Sequence, residues 1–294
     1  TSTAAAVAAI AKGDVRSLRV VPEELRLNGR GATQHFLILA LSADGIERDV
    51  TAESRVSISA NRAVAVEAPG LLASLGDGEA ELTTEFSGLS LTMPVAVEGS
   101  SESLPFDFAR RVGGVFTKHG CNSGECHGSV KGKGGFKLSI NAVFPDNDYE
   151  WIVNGGTYHV MKPEKPDPEP VPRIDVDDPE ESLLLLKATR EVSHGGKAAL
   201  KREDAGYETL RRWIASGAAL NAGDGDEAVA EEAAGIDRIE VQPGEIVLES
   251  SARHGLVVTA HLSDGTTDDL TSEVRFESNN LEVAEVSDEG RVLG

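Results

Sequence analysis

LILALSADGIERDVT at residues 37–51 and VVTAHLSDGTTDDLT at residues 257–271 are two versions of one pattern. Each has an apolar run, an Asp-Gly turn (Gly45 opposite Gly265), a short polar return and an Asp-x-Thr ending. Apolar residues followed by a tight turn and a return strand indicate an antiparallel β-hairpin. The likeness extends outward on both sides. LRVVPEELRL (18–27) parallels IEVQPGEIVL (239–248), with Pro22 opposite Pro243, and Asn61–Val66 parallels Asn280–Val286, at an offset of 219–221 residues. Short alternating runs separated by Gly and Asp turns predict a β-sandwich in each copy. The first copy continues into GEAELTTEFSGLSLTMPVAV (78–97), a closing hairpin that the second copy lacks. That difference reads as a chain cut inside its second sandwich; a strand supplied by another chain is the alternative.

The chain has 294 residues, 28 Lys+Arg and 49 Asp+Glu, for a net charge of −21. So acidic a chain is a poor partner for nucleic acid or anionic lipid, which need clustered Lys and Arg. No apolar run reaches the ~20 residues of a membrane span. Between residues 104 and 222 there are 16 Lys+Arg against 17 Asp+Glu, so the acidity belongs to the flanks. The Ala-rich start (1–13) lacks the basic region of a signal peptide and reads as frayed, and GDGDEAVAEEAAG (223–235) reads as an acidic linker.

From 100 to 222 the alternation gives way to helical spacing. PFDFARRVGGVFTKHG (105–120) puts Phe108, Val112, Val115 and Phe116 on one face, and YETLRRWIASGA (207–218) does the same with Tyr207, Leu210, Trp213 and Ile214, with Gly217 as C-cap. DDPEESLLLLKAT (177–189) opens with an Asp-Pro pair suited to a helix start. MKPEKPDPEPVPR (161–173) is too proline-rich for a helix.

Only two cysteines occur, Cys121 and Cys126, so a disulfide framework is excluded and their chemistry is local. They lie in Gly120-Cys-Asn-Ser-Gly-Glu-Cys-His-Gly128. Two thiols followed directly by His127 suit covalent attachment of one haem c through Cys121 and Cys126, with His127 as an axial ligand of the iron. The spacing is C-x4-C-H where C-x2-C-H is usual, and Gly124 would ease the wider loop. A Cys121–Cys126 disulfide and a metal site completed by distant ligands are the competing readings. The glycine-rich Lys131–Lys137 run lacks the spacing of a phosphate loop and reads as a flexible loop; in a sharper variant, one of its lysines pairs with a haem propionate.

FTKHGCNSGECHGSVKGKGGFKLSI (116–140), DDPEESLLLLKATREVSHGG (177–196) and YETLRRWIASGA (207–218) resemble the planctomycete-type cytochrome c domain, and the flanking repeats resemble bacterial Ig-like group 2 domains. The resemblance implies a multidomain chain: a sandwich at 14–99, an all-α cytochrome c-like haem domain at 100–222, and an incomplete sandwich at 236–294. It also implies export, to periplasm or exterior, before haem attachment. Cytochrome c-like domains present the second axial ligand from a loop, which points to His194 in Ser193-His194-Gly195-Gly196, with Met161 and His159 as alternatives and His119 as a solvent-facing helix-end residue.

The expectation is a monohaem electron-transfer module rather than an enzyme, with a redox protein or other domains of a longer chain as partner. Nucleic acid is not expected as a partner, and a homo-oligomer is open. Two alternatives stand beside it: a five-coordinate haem that senses a small ligand or supports an oxidative enzyme, and a surface adhesion protein with an auxiliary haem.

Overall fold

A computed structural model describes residues 15–59, 62–101, 107–155, 172–196, 200–220 and 234–294. The Ala-rich start, most of the proline-rich stretch and most of the acidic linker lie outside them. The chain forms two compact units, one made of residues 1–104, 234–272 and 276–294, the other of 105–233 and 273–275.

The first unit is built on the repeat. Its first copy contains β1 (Val15–Val21), β2 (Leu25–Asn28), β3 (Thr33–His35), β4 (Leu37–Ser42), β5 (Glu47–Asp49), β6 (Arg55–Ile58), β7 (Val64–Ala68), β8 (Leu71–Ser74), β9 (Gly78–Phe86) and β10 (Leu89–Glu98). They form three sheets, ordered β1-β4-β5, β3-β8-β7 and β2-β10-β9-β6. Leu25, Leu27, Phe36, Ile38, Leu72, Leu82, Val95 and Val97 fill the core between them.

The turn chemistry follows from the Asp-Gly pairs. Gly45 takes φ 85° and the Asp44 carboxylate accepts from the Ile46 N–H at 2.9 Å. In the second copy Gly265 has the same φ and Asp264 accepts from Thr266 N–H at 2.8 Å. The positive φ favours glycine, and the Asp side chain closes the turn locally.

The second copy contributes β11 (Ile236–Gln242), β12 (Arg253–Gly255), β13 (Val257–Leu262), β14 (Thr267–Asp269), β15 (Glu285–Val286) and β16 (Arg291–Leu293). Sheets β11-β13-β14 and β12-β16-β15 reproduce two sheets of the first copy; the four-stranded third sheet has no counterpart.

A joint with approximate twofold character unites the copies. Asp49 Oδ1 accepts from Thr51 N–H at 2.9 Å while its Oδ2 accepts from Gly255 N–H at 2.8 Å. At the repeat-equivalent positions, Asp269 Oδ1 accepts from Thr271 N–H at 2.9 Å and Oδ2 from His35 N–H at 2.6 Å. Each Asp-x-Thr motif therefore folds its own strand end and caps a backbone N–H of the other copy. The threonines complete the device, accepting from Ile38 N–H and Val258 N–H at 2.8 and 2.9 Å. Beneath these bonds Val21, Leu37, Leu39 and Val257 form an apolar cluster. Each such side chain stabilises by about 1.5–3 kcal/mol on full burial. Exposed rim contacts such as Arg48–Glu249, at 3.2 Å, add less than about 1 kcal/mol.

The symmetry breaks at one pair: His35 Nδ1 also lies 2.6 Å from Asp269 Oδ2, whereas its counterpart is Gly255. A Cβ at Gly255 would lie 2.5 Å from Leu37 Cδ2, so a larger residue there would make the Leu37 side chain shift.

The second unit carries α1 (Phe108–Lys118), α2 (Pro145–Val153), α3 (Leu183–Ala188) and α4 (Ala205–Ala215). Asp107 caps α1 by accepting from Arg110 N–H at 3.0 Å. Phe108, Tyr149 and Trp213 pack edge-on or tilted, with ring centroids 5.3–6.5 Å apart, and the Trp213 indole donates to Ala219 O at 2.9 Å. The stretch read as one helix over 177–189 is instead a 3₁₀ turn at Pro179–Glu181 and the short α3, separated at Ser182, whose φ, ψ of −57°, 125° break the helix. The helix α2 was not anticipated.

The expected fold class, an all-α cytochrome c-like haem domain between two Ig-like sandwiches, is corrected. The described residues hold sixteen strands in five sheets against four α-helices, so the chain is predominantly β. The physical reason is the joint: it makes one unit of what the sequence presents as two separate sandwiches.

Removing an ionised acceptor from a buried joint should be costly. Burial of Asp269 opposes its ionisation, yet the hydrogen bonds and charge of His35 and the bonds from Thr271 outweigh this and hold its carboxyl below the usual range. Asp269→Ala is expected to cost about 3 kcal/mol at neutral pH, measured by urea unfolding. Since the folded value lies below the unfolded one, the stabilisation is complete above about pH 4 and is lost as pH falls through the folded value. The gap between wild type and variant should close in acid; a gap independent of pH would contradict the assignment.

Candidate functional site

The Cys121–His127 segment leaves the C-terminus of α1 as a series of tight turns. Cys121 N–H donates to Phe116 O (2.8 Å), Cys126 N–H to Ser123 O (3.0 Å) and His127 N–H to Cys121 O (3.0 Å). Gly128 closes the coil: a Cβ there would lie 2.1 Å from Asn122 O, so only glycine fits. Gly124, expected to ease the wide loop, has open space around it. Asn122 is buried beneath the turns, 2.9 Å from Thr117 Oγ1.

Leu138 N–H donates to His127 O at 2.8 Å and ties the returning segment to the loop. Lys137 Nζ donates to Gly128 O and Ser129 O, both at 2.9 Å, so this lysine braces the loop itself instead of reaching for a bound propionate. Deeper in the same segment, Asp148 of α2 accepts from Ser139 N–H and Oγ at 2.5 and 2.6 Å and fixes the chain before that helix.

The imidazoles of His127 and His194 come together, their rings stacked within 14° at 6.0 Å between centroids. His127 Nδ1 lies 3.0 Å from Phe136 O, so Nδ1 carries the proton and Nε2 presents the lone pair. His194 Nδ1 is buried without a hydrogen-bond partner. Burial is the main cause that lowers both imidazoles from their usual range; His194 adds to it at His127, and Lys187, Arg190 and Lys133 add to it at His194. Both rings are therefore neutral at pH 7. His119, expected to face solvent, is half-buried, and a Cβ on Gly206 of α4 would lie 2.9 Å from its Nε2. His159 and Met161 lie outside the described residues.

Cys121 and Cys126 are both free. Cys121 packs against the apolar core of the helical unit, and burial pushes its thiol up to about 12. It behaves as a small core hydrophobe, not as a thiolate. The covalent haem c expected on Cys121, Cys126, His127 and His194, and with it the cytochrome and electron-transfer reading, is corrected. Among the described residues no group of three or more His, Cys, Asp or Glu is disposed to hold a metal ion. The segment offers two neutral imidazoles and a protonated thiol, with Lys187, Arg190 and Lys133 near enough to act on His194.

The residues that do form a connected polar device lie in the other unit: Asp49, Asp269, Thr51, Thr271, His35 and Gly255. The sequence shows the Asp-x-Thr endings but not that they join the two copies, although a signal existed. Leu37-Ile-Leu-Ala40 is an unbroken apolar run and Val257-Val-Thr-Ala260 departs from it only at the buried Thr259; runs of this kind mark strands buried on both faces. Ile38 and Ala40 face the first core, and Leu37 and Leu39 face the joint.

No protein-family model matches the chain, and no curated protein matches it. The resemblance to a planctomycete-type cytochrome c domain with group 2 Ig-like flanks is corrected on the structure, whose described residues are mostly β and hold no group of three or more His, Cys, Asp or Glu disposed to bind a metal ion. Among solved structures the chain is similar to the crystal structure of the S-layer protein SbsC domains 4 and 5, with 15% identity over 29% of this chain and 53% of that one, and a TM-score of 0.25. The chain thus spans about half the length of that structure. Among the described residues no helix is long and apolar enough to cross a membrane.

The neutral imidazole pair can be read directly. In an NMR titration both rings should protonate below the usual imidazole value of about 6.5, and His194→Ala should raise the His127 midpoint by removing a neighbouring charge. With folded values depressed, the pair's contribution to stability is present above about pH 6.5 and falls as pH drops through the folded values. Midpoints at or above the usual value would refute the burial assigned to them.

Proposed function

We propose that the chain is a structural module of an extracytoplasmic protein, in which the two sandwiches act as one stiff strut for adhesion or assembly and the helical unit is a folded insertion between them. The joint carries this reading. A catalyst or carrier has no need to bind two sandwiches through a pair of carboxylates, one half-buried and one buried, whereas a strut must resist bending at the point where its two halves meet. The strong negative charge supports exposure to solvent and argues against polyanionic partners. The partners proposed are other domains of a longer polypeptide or other surface proteins, and the location proposed is the periplasm or cell exterior.

Stretching single molecules between handles at Val15 and Gly294 tests the strut. Both sandwiches should yield in one cooperative event, and the double variant Asp49→Ala, Asp269→Ala should split it into two weaker ones. Two independent events in the unaltered chain would sink the reading. Protease treatment of intact source cells tests the location: peptides from residues 15–98 should be released without lysis, and their appearance only after lysis would place the protein elsewhere.

A further inference from the structure

The second sandwich leaves open a groove of about 690 Å³, lined by Val241, Ile246, Leu248, Leu256, Val283 and Val292. Around it apolar side chains face solvent: Val247 is 61% exposed and Val283 69%. A monomeric surface rarely leaves so many aliphatic side chains clustered without use. The first copy shows what fills this space. There Leu25 and Leu27, the counterparts of Ile246 and Leu248, are 2% and 1% exposed because β10 lies parallel to β2, with Val95 beside Leu25 and Val97 beside Leu27. On the far side β9 pairs antiparallel with β6, placing Leu82 beside Ile58.

In the second copy, residues 246–248 and the stretch around Phe276 stand where β2 and β6 stand in the first, and neither is a strand. Both have lost their shape because both pair only with the inner hairpin. The two sheets that do not need that hairpin are intact.

We infer that the groove is an acceptor for a β-hairpin from a polypeptide segment outside residues 1–294, with aliphatic residues at alternate positions along each strand. Its second strand runs parallel to residues 246–248, and its first pairs antiparallel with the stretch around Phe276. Main-chain bonds to two edges give the affinity, and the alternating side chains in the groove give the selectivity, as in β-strand addition generally. The inference is independent of the structural role proposed above, since a completed sandwich would serve any function.

The chain's own Gly78–Glu98 sequence is the probe. As a synthetic peptide added to the full chain, it should slow amide hydrogen exchange at 246–248 and around Phe276 at least tenfold, and bind with a negative heat-capacity change. A peptide carrying Leu82→Lys and Val97→Lys should do neither. To remove dependence on peptide affinity, the same hairpin is also fused after Gly294 through three residues, as Leu75–Asp77 join β8 to β9, which raises its effective concentration to the millimolar range. Protection of both segments in the fused chain supports the inference. Unchanged exchange in the fused chain overturns it, and so does a dimer of the unaltered chain with those amides already protected, which would give the groove to a second copy.

Discussion

Two carboxylates decide how this chain is put together. Asp49 and Asp269 each fold the end of their own strand with one oxygen and hold a backbone N–H of the opposite copy with the other. An ionised group in a buried place is costly unless every lone pair is used. Here nearly all are, and the same bonds that satisfy the carboxylates set the relative placement of the two sandwiches. The apolar cluster of Val21, Leu37, Leu39 and Val257 supplies the burial, and the carboxylates supply the direction. A joint of this kind is specific because a small slip would leave the Asp269 carboxylate buried without its partners and the half-buried Asp49 without its cross-copy bond.

The repeat was legible in the sequence because it rests on local chemistry. Asp-Gly turns, Asp-x-Thr endings and the matching prolines need no knowledge of distant residues, and the hairpins they specify are present in both copies. Helices α1 and α4 were legible for the same reason, since their apolar faces recur at helical spacing and are buried as expected. The joint was not legible as such. Its signal, a run of four apolar residues where a sandwich strand should alternate, is shared by any strand covered on both faces. It cannot say that the second cover is the chain's own other copy.

The Cys-x4-Cys-His segment shows a different limit. A short motif states which atoms are near one another in sequence but not where they point. The spacing suggested a ligand-binding loop, while the coiled turns press Cys121 against the helical core and leave its thiol protonated. The His127 and His194 rings stack, and the Phe136 carbonyl orients the first of them. What the sequence overstated was the completeness of the group. The open groove of the second sandwich was also partly foreseen, from the absent hairpin, although the sequence did not show that the two flanking segments would lose their strand character along with it.

The central claim is that the two sandwiches are one body. Backbone ¹⁵N relaxation of the full chain measures this directly, because amides of β1–β10 and of β11–β16 report the tumbling of the piece that carries them. One common rotational diffusion tensor for both sets, separating into two when Asp49 and Asp269 are both replaced by alanine, is the result predicted. Distinct tumbling of the two sandwiches in the unaltered chain would contradict the account.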